Sequence, residues 1–147
     1  MKSKFTPLIL LQTFLVLMLI TLLLPLEKYI VYPFNMFGFI LLIIGSFAAL
    51  HTKKMFLKTK TPTMPNAKPI KLLTMGAFKY TRNPMYLGIT IGLLGIALMT
   101  SILLNLIFPI LFMYLTDKYF VGMEEDKLEK EFGEEYLRYK MNTRRWF

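Results

Sequence analysis

Two short stretches carry the residue types that could do chemistry. The first is Gly76-Ala77-Phe78-Lys79-Tyr80-Thr81-Arg82-Asn83-Pro84-Met85-Tyr86-Leu87-Gly88. Asn83-Pro84 reads as a helix start, because Asn is a strong N-cap and proline suits the first helical position. A helix start offers backbone N–H groups and positive dipole to an anion. Arg82, one residue earlier, can form a bidentate pair with a carboxylate or phosphate. Gly76 permits a backbone turn or the close approach of a ligand. Tyr80 and Tyr86 flank the helix start and can pack on an adenine ring or a sulfonium cation. The second stretch opens with Glu124-Glu125-Asp126 and closes with Arg144-Arg145-Trp146-Phe147. Its acids can bind ribose hydroxyls or an ammonium group, and Glu124 or Glu125 can act as a base. Each residue also has a plainer role: Asn83 a cap alone, Arg82 a lipid-phosphate contact, the tyrosines interface anchors, the acids a solvated helix end.

The elements that must hold these stretches are apolar. The 147 residues give room for one domain, and 55% of them are hydrophobic. Residues 5 to 26, 29 to 50 and 83 to 116 carry no charge. A bilayer core about 30 Å thick requires runs of roughly this length. The chain therefore reads as an integral membrane protein, all-α and polytopic, with about four transmembrane helices and short cytoplasmic C-terminal helices. A helical hairpin is expected over 5–50, a basic loop over 51–84, a second hairpin over 85–120 and a tail over 121–147. The run 83–116 is too long for one straight crossing, and Thr100, Ser101 and Asn105 supply a turn, giving helices near Met85 to Met99 and Ile102 to Phe120.

Lys53, Lys54, Lys58, Lys60, Lys68, Lys71, Lys79 and Arg82 follow one another with no acid among them. By the positive-inside rule that loop faces the cytoplasm, together with both termini. Pro62, Pro65 and Pro69 make the middle of the loop extended. In the tail, Gly133 is a helix stop between two short helices. Gly88, Gly92 and Gly95 fall on one face of the third helix and suit close helix packing.

The same inventory narrows the chemistry. Cysteine is absent and His51 is the one histidine, so disulfides and thiolate chemistry are excluded and a zinc site is disfavoured. The net charge of +9 sits beside apolar segments, where it reads as topology signal and headgroup contact, with no nucleic acid as partner. The first apolar run is too long for a signal peptide and lacks a cleavage site.

Taken together, the two stretches resemble a known family. Residues 76–88 resemble the Gly-x-[Tyr/Phe]-x-x-x-Arg-[His/Asn]-Pro-x-Tyr-x-Gly signature of the isoprenylcysteine carboxyl methyltransferases. Glu124-Glu125-x-x-Leu128-x-x-x-Phe132-Gly133-x-x-Tyr136-x-x-Tyr139, then Arg144-Arg145-Trp146, resembles that family's C-terminal block. Phospholipid N-methyltransferases share the paired glutamates and the membrane setting. The resemblance implies a helical enzyme of a membrane, here a cell inner membrane, that binds S-adenosyl-L-methionine in a cytoplasmic-side pocket open to a lipophilic or lipid acceptor. It implies no metal. Carried over position by position, Gly76, Tyr80, Arg82, Asn83, Pro84, Tyr86, Glu124 and Glu125 would bind the cofactor, and Arg144 or Arg145 would lie near the acceptor. With Glu125 as a base for an amine or hydroxyl, Arg144, Arg145 and Glu125 are the candidate catalytic residues. Family members acting on prenylated proteins usually carry His at the position of Asn83, which does not titrate near neutrality. Two other readings are an NADPH-dependent membrane reductase, whose related block has an acid where Ile89 stands, and a non-catalytic lipid-binding protein.

Overall fold

The apolar runs fold as helices, which satisfy their backbone hydrogen bonds within each segment. The computed structural model describes residues 6–30, 32–61 and 68–147, and among them there are helices and no strands. The basic start Met1–Lys4, Phe5, and the prolines Pro62 and Pro65 lie outside the described residues. Helix α1 spans Pro7–Thr21, with Thr6 Oγ1 accepting from the Ile9 N–H. Helix α2 spans Phe37–Lys58, α3 Pro84–Thr100, α4 Ile107–Thr116, α5 Gly122–Phe132 and α6 Glu134–Asn142. Among the described residues two helices, Phe34–Lys58 and Leu103–Phe132, are long and apolar enough to cross a membrane. The apolar α1 and α3 are shorter.

Packing differs from a simple pair of hairpins. The main partner of α2 is α3, while α1 packs on α4. The α2–α3 seam is built on small residues. A Cβ on Gly88 would lie 2.7 Å from the Ala49 nitrogen, and one on Gly95 would lie 2.5 Å from the Gly38 carbonyl oxygen. Gly45 likewise faces Gly88 and Gly92. Backbones meet this closely only without side chains between them, which is how helices gain dispersion contact in lipid. On the other side, Phe14 of α1 lies 5.5 Å from Phe108 and 6.4 Å from Phe112 of α4, ring centre to ring centre. Partner choice in a bilayer depends on such surface shape, which hydropathy does not encode.

The third apolar run does reverse near its middle. Ser101 takes a left-handed conformation, φ 62°, and ends α3. Asn105, fully buried, donates to Thr100 Oγ1 at 2.8 Å and accepts from Thr21 Oγ1 at 3.0 Å, tying the turn to the end of α1.

Two boundaries move. Helix α2 continues past Leu50 to Lys58, so Lys53, Lys54 and Lys58 ride on a helix rather than in a loop. The acidic stretch is no separate tail. From Leu103 the helix runs without a break to Phe132, passing through a π turn at Asp117–Val121. The change from apolar to charged sequence does not mark where this helix stops. Glu124 and Glu125 therefore stand on a rigid extension of the fourth helix. Only at Gly133, φ 49°, does the chain turn into α6.

Candidate active site

The start of α3 and the C-terminal segment are buckled together by one buried carboxylate. The Nε and Nη2 of Arg82 lie 3.0 and 2.9 Å from Glu125 Oε1. Arg145 donates to the same group, Nε to Oε1 at 3.2 Å and Nη2 to Oε2 at 2.7 Å. The Glu125 side chain is 7% exposed and that of Arg82 11%. Arg82 also donates through Nη1 to the carbonyls of Lys140 at 3.1 Å and Thr143 at 2.6 Å. Arg145 reaches Asp117 in the π turn at 3.4 Å, and the Trp146 indole donates to that same Asp117 oxygen at 2.9 Å. The hydrogen bond it donates to Glu125 holds the Arg145 guanidinium above its ordinary pKa. Backbone bonds reinforce the buckle: Arg82 N–H to the Arg144 carbonyl, Thr81 Oγ1 and Asn83 Nδ2 to the Arg145 carbonyl.

Beside the buckle lies a cavity of about 120 Å³. Its walls come from the start of α3 (Asn83, Pro84, Tyr86), from α5 (Glu124, Glu125, Leu128), from α6 (Tyr136, Tyr139), from Phe78 and from Phe56 near the end of α2. Phe78 is held by Phe56 edge to face at 5.6 Å and by the Tyr139 hydroxyl, which donates to the Phe78 carbonyl at 2.7 Å. The Tyr86 hydroxyl donates to Glu124 Oε1 at 2.7 Å. Glu124 lies past the last apolar turn of its helix, and burial pushes its carboxyl up to about 7, against the opposing pull of the Tyr86 bond and of Lys127. A carboxyl so poised can take up or release a proton near neutrality. Aromatic faces and acids together suit a cationic ligand that carries a flat ring. Among the described residues no group of three His, Asp or Glu gathers that could hold a metal.

The structure brings Arg82, Asn83, Pro84, Tyr86, Glu124 and Glu125 into this one wall. It does not bring the others there. Tyr80 is 78% exposed and outside the cavity lining. Gly76, at φ 63°, opens a short 3₁₀ turn over Gly76–Lys79 and serves the turn rather than the cavity. Arg144 is exposed, and Arg145 lies in the buckle outside the lining. Two roles change with the geometry. Arg82 is not waiting for an anion, because its donors are occupied by Glu125 and two carbonyls. Asn83 precedes α3 with Pro84 at the first helical position, yet its side chain makes no capping bond and is spent on the Arg145 carbonyl. Residue-type reasoning did not reach Phe56, which nothing in its local sequence distinguishes from other apolar residues, and gave Phe78 no role beyond its place in the 76–88 signature. Tyr136 and Tyr139, three apart in α6, did carry a signal.

Comparison with known proteins adds an independent finding. A family model described as phospholipid methyltransferase matches residues 33–135, which takes in α2, α3, α4, α5 and both glutamates. An uncharacterised protein of Haemophilus influenzae (strain ATCC 51907 / DSM 11121 / KW20 / Rd) is 37% identical over 62 residues, covering 42% of this chain and 98% of that one. No solved structure matches the chain.

Proposed function

The chain belongs to the phospholipid methyltransferase family, whose chemistry is methyl transfer to lipid-type acceptors, and on that premise we propose that it uses S-adenosyl-L-methionine to methylate a lipophilic acceptor at the cytoplasmic face of a membrane. The observation that carries this reading is the cavity wall in which Tyr86 and Glu124 meet the aromatic side chains of Phe78 and Tyr139. The residues present fit that cofactor: aromatic faces for a purine and a sulfonium, a carboxylate for hydroxyls or an ammonium, and a buried tyrosine hydroxyl without a partner.

When bound, the cofactor supplies a methyl group on a cationic sulfur, open to in-line displacement. The protein's own share is positioning and electrostatics. Asn83, Pro84 and Tyr86 form one wall, and Phe78, Tyr136 and Tyr139 exclude water from it. Glu124 receives the proton released by an amine or hydroxyl acceptor; a carboxylate acceptor needs no such base. Arg82, Glu125 and Arg145 act as positioning residues that keep α5 and the C-terminal segment against the start of α3.

The topology we propose is four crossings within one domain. In support, α3 lies along α2 from Gly38 to Ala49, and α1 packs on α4, so both shorter helices share the depth of the longer ones. In support of a cytoplasmic placement of this end, with both termini and the cavity, lysines cluster between α2 and α3. The test is calorimetry of S-adenosylhomocysteine against the detergent-purified protein, with NADPH in parallel. Saturable binding of the first alone supports the proposal. Binding of NADPH alone points to a reductase, and binding of neither in folded protein points to a non-catalytic lipid binder.

A further inference from the structure

Tyr136 is 1% exposed, and its hydroxyl is buried with no hydrogen-bond partner. Among the described residues only one other buried side-chain atom, Asn35 Oδ1, is left this way. Native proteins rarely bury a phenol without an acceptor, since its hydration is lost for nothing. The surroundings explain why the protein supplies none. The nearby Glu125 carboxylate already receives four guanidinium N–H groups, two from each arginine. Three residues on, Tyr139 has found an acceptor in the Phe78 carbonyl. Burial raises the pKa of the Tyr136 phenol, so it stays protonated and has a proton to donate. The residue lines the cavity described above.

We propose that the Tyr136 hydroxyl is a ligand-binding donor, completed by an acceptor atom of the S-adenosyl group in that cavity. This rests on the cofactor reading above. An apolar ring at this position would serve packing equally well, so the hydroxyl's use lies with the ligand.

The experiment is calorimetric titration of S-adenosylhomocysteine into wild type, Tyr136→Phe and Tyr139→Phe, each with its thermal unfolding midpoint in detergent. The proposal requires Tyr136→Phe to bind about tenfold more weakly while its ligand-free midpoint holds or rises. Tyr139→Phe, which loses a bond to Phe78, must instead lower the midpoint. Equal affinity of wild type and Tyr136→Phe overturns the proposal and leaves the cofactor reading intact. A wild type that does not bind overturns the cofactor reading itself. A 3-fluorotyrosine label at position 136 gives a second readout in otherwise unaltered protein. Its fluorine resonance must shift on saturation, and an unmoved resonance counts against the contact.

Discussion

Replacing Glu125 by Gln removes the charge that two arginines share while changing little in shape. The cost follows from burial. Taking one partner from a buried ion pair costs about 3–5 kcal/mol, because the other charge stays buried and unpaired. Arg82 is in that position, 11% exposed and against a carboxylate 7% exposed. It keeps two carbonyl acceptors, and a Gln oxygen still accepts one bond, so the lower end applies, about 3 kcal/mol. Arg145 is 39% exposed and adds little, since solvent-exposed pairs are worth at most about 1 kcal/mol. The loss falls on the attachment of α6 and residues 143–147, which this carboxylate holds together with the Tyr139–Phe78 and Trp146–Asp117 bonds and a few backbone bonds. Opening of that segment should therefore rise roughly a hundredfold, at about 1.4 kcal/mol per factor of ten. Hydrogen exchange of residues 134–147 in detergent, read by mass spectrometry, measures this directly. Arg145→Gln must have a far smaller effect than Glu125→Gln. Wild-type exchange rates in Glu125→Gln, or equal damage from the two variants, would refute the assignment of Glu125 as the buried clasp.

Three further outcomes are expected. Gly45→Val forces side-chain atoms against the backbone of Gly88 and Gly92, and should lower stability by about 1–3 kcal/mol or more in denaturation within detergent, whereas Gly122→Ala, with open space around it, should not. Glu124 has a folded pKa near 7, above its ordinary value of 4.5, so the fold favours the protonated form. Its contribution to stability is therefore greatest below about 4.5 and is lost as pH rises through about 7; the unfolding midpoint should fall between pH 5 and pH 8, and Glu124→Gln should flatten that fall. Tyr86→Phe removes the bond that lowers the Glu124 pKa, so the midpoint of that pH dependence should move upward.

Much of this site was legible because charge at the edge of an apolar run is conspicuous. Arg82, Asn83, Tyr86, Glu124 and Glu125, which the structure gathers around one cavity, all stand at such an edge. What residue types do not convey is who answers whom. Arg82 reads as a residue able to pair with a carboxylate or phosphate, and the carboxylate it meets is Glu125, 43 residues away on a helix whose continuity the charges of Asp117 and Lys118 disguise. Asn83 read as a cap because capping is a local bond, and a tertiary carbonyl outcompeted it. The glycines of α3 announced close packing; Gly38 and Gly45 of α2, with the same spacing of seven, named the partner and went unread. The pairing of α1 with α4 rests on the fit of Phe14 to Phe108 and Phe112, which no hydropathy pattern contains.

The central claim is methyl transfer, and its most direct test is transfer of label. Purified protein in liposomes of its host's lipid extract would be given S-adenosyl-L-methionine labelled in the methyl group, and the organic phase counted. Time-dependent label is expected in a lipid fraction, abolished by S-adenosylhomocysteine and reduced in Tyr136→Phe. Label that never leaves the aqueous phase, with protein that is folded and binds S-adenosylhomocysteine, would contradict a lipid acceptor.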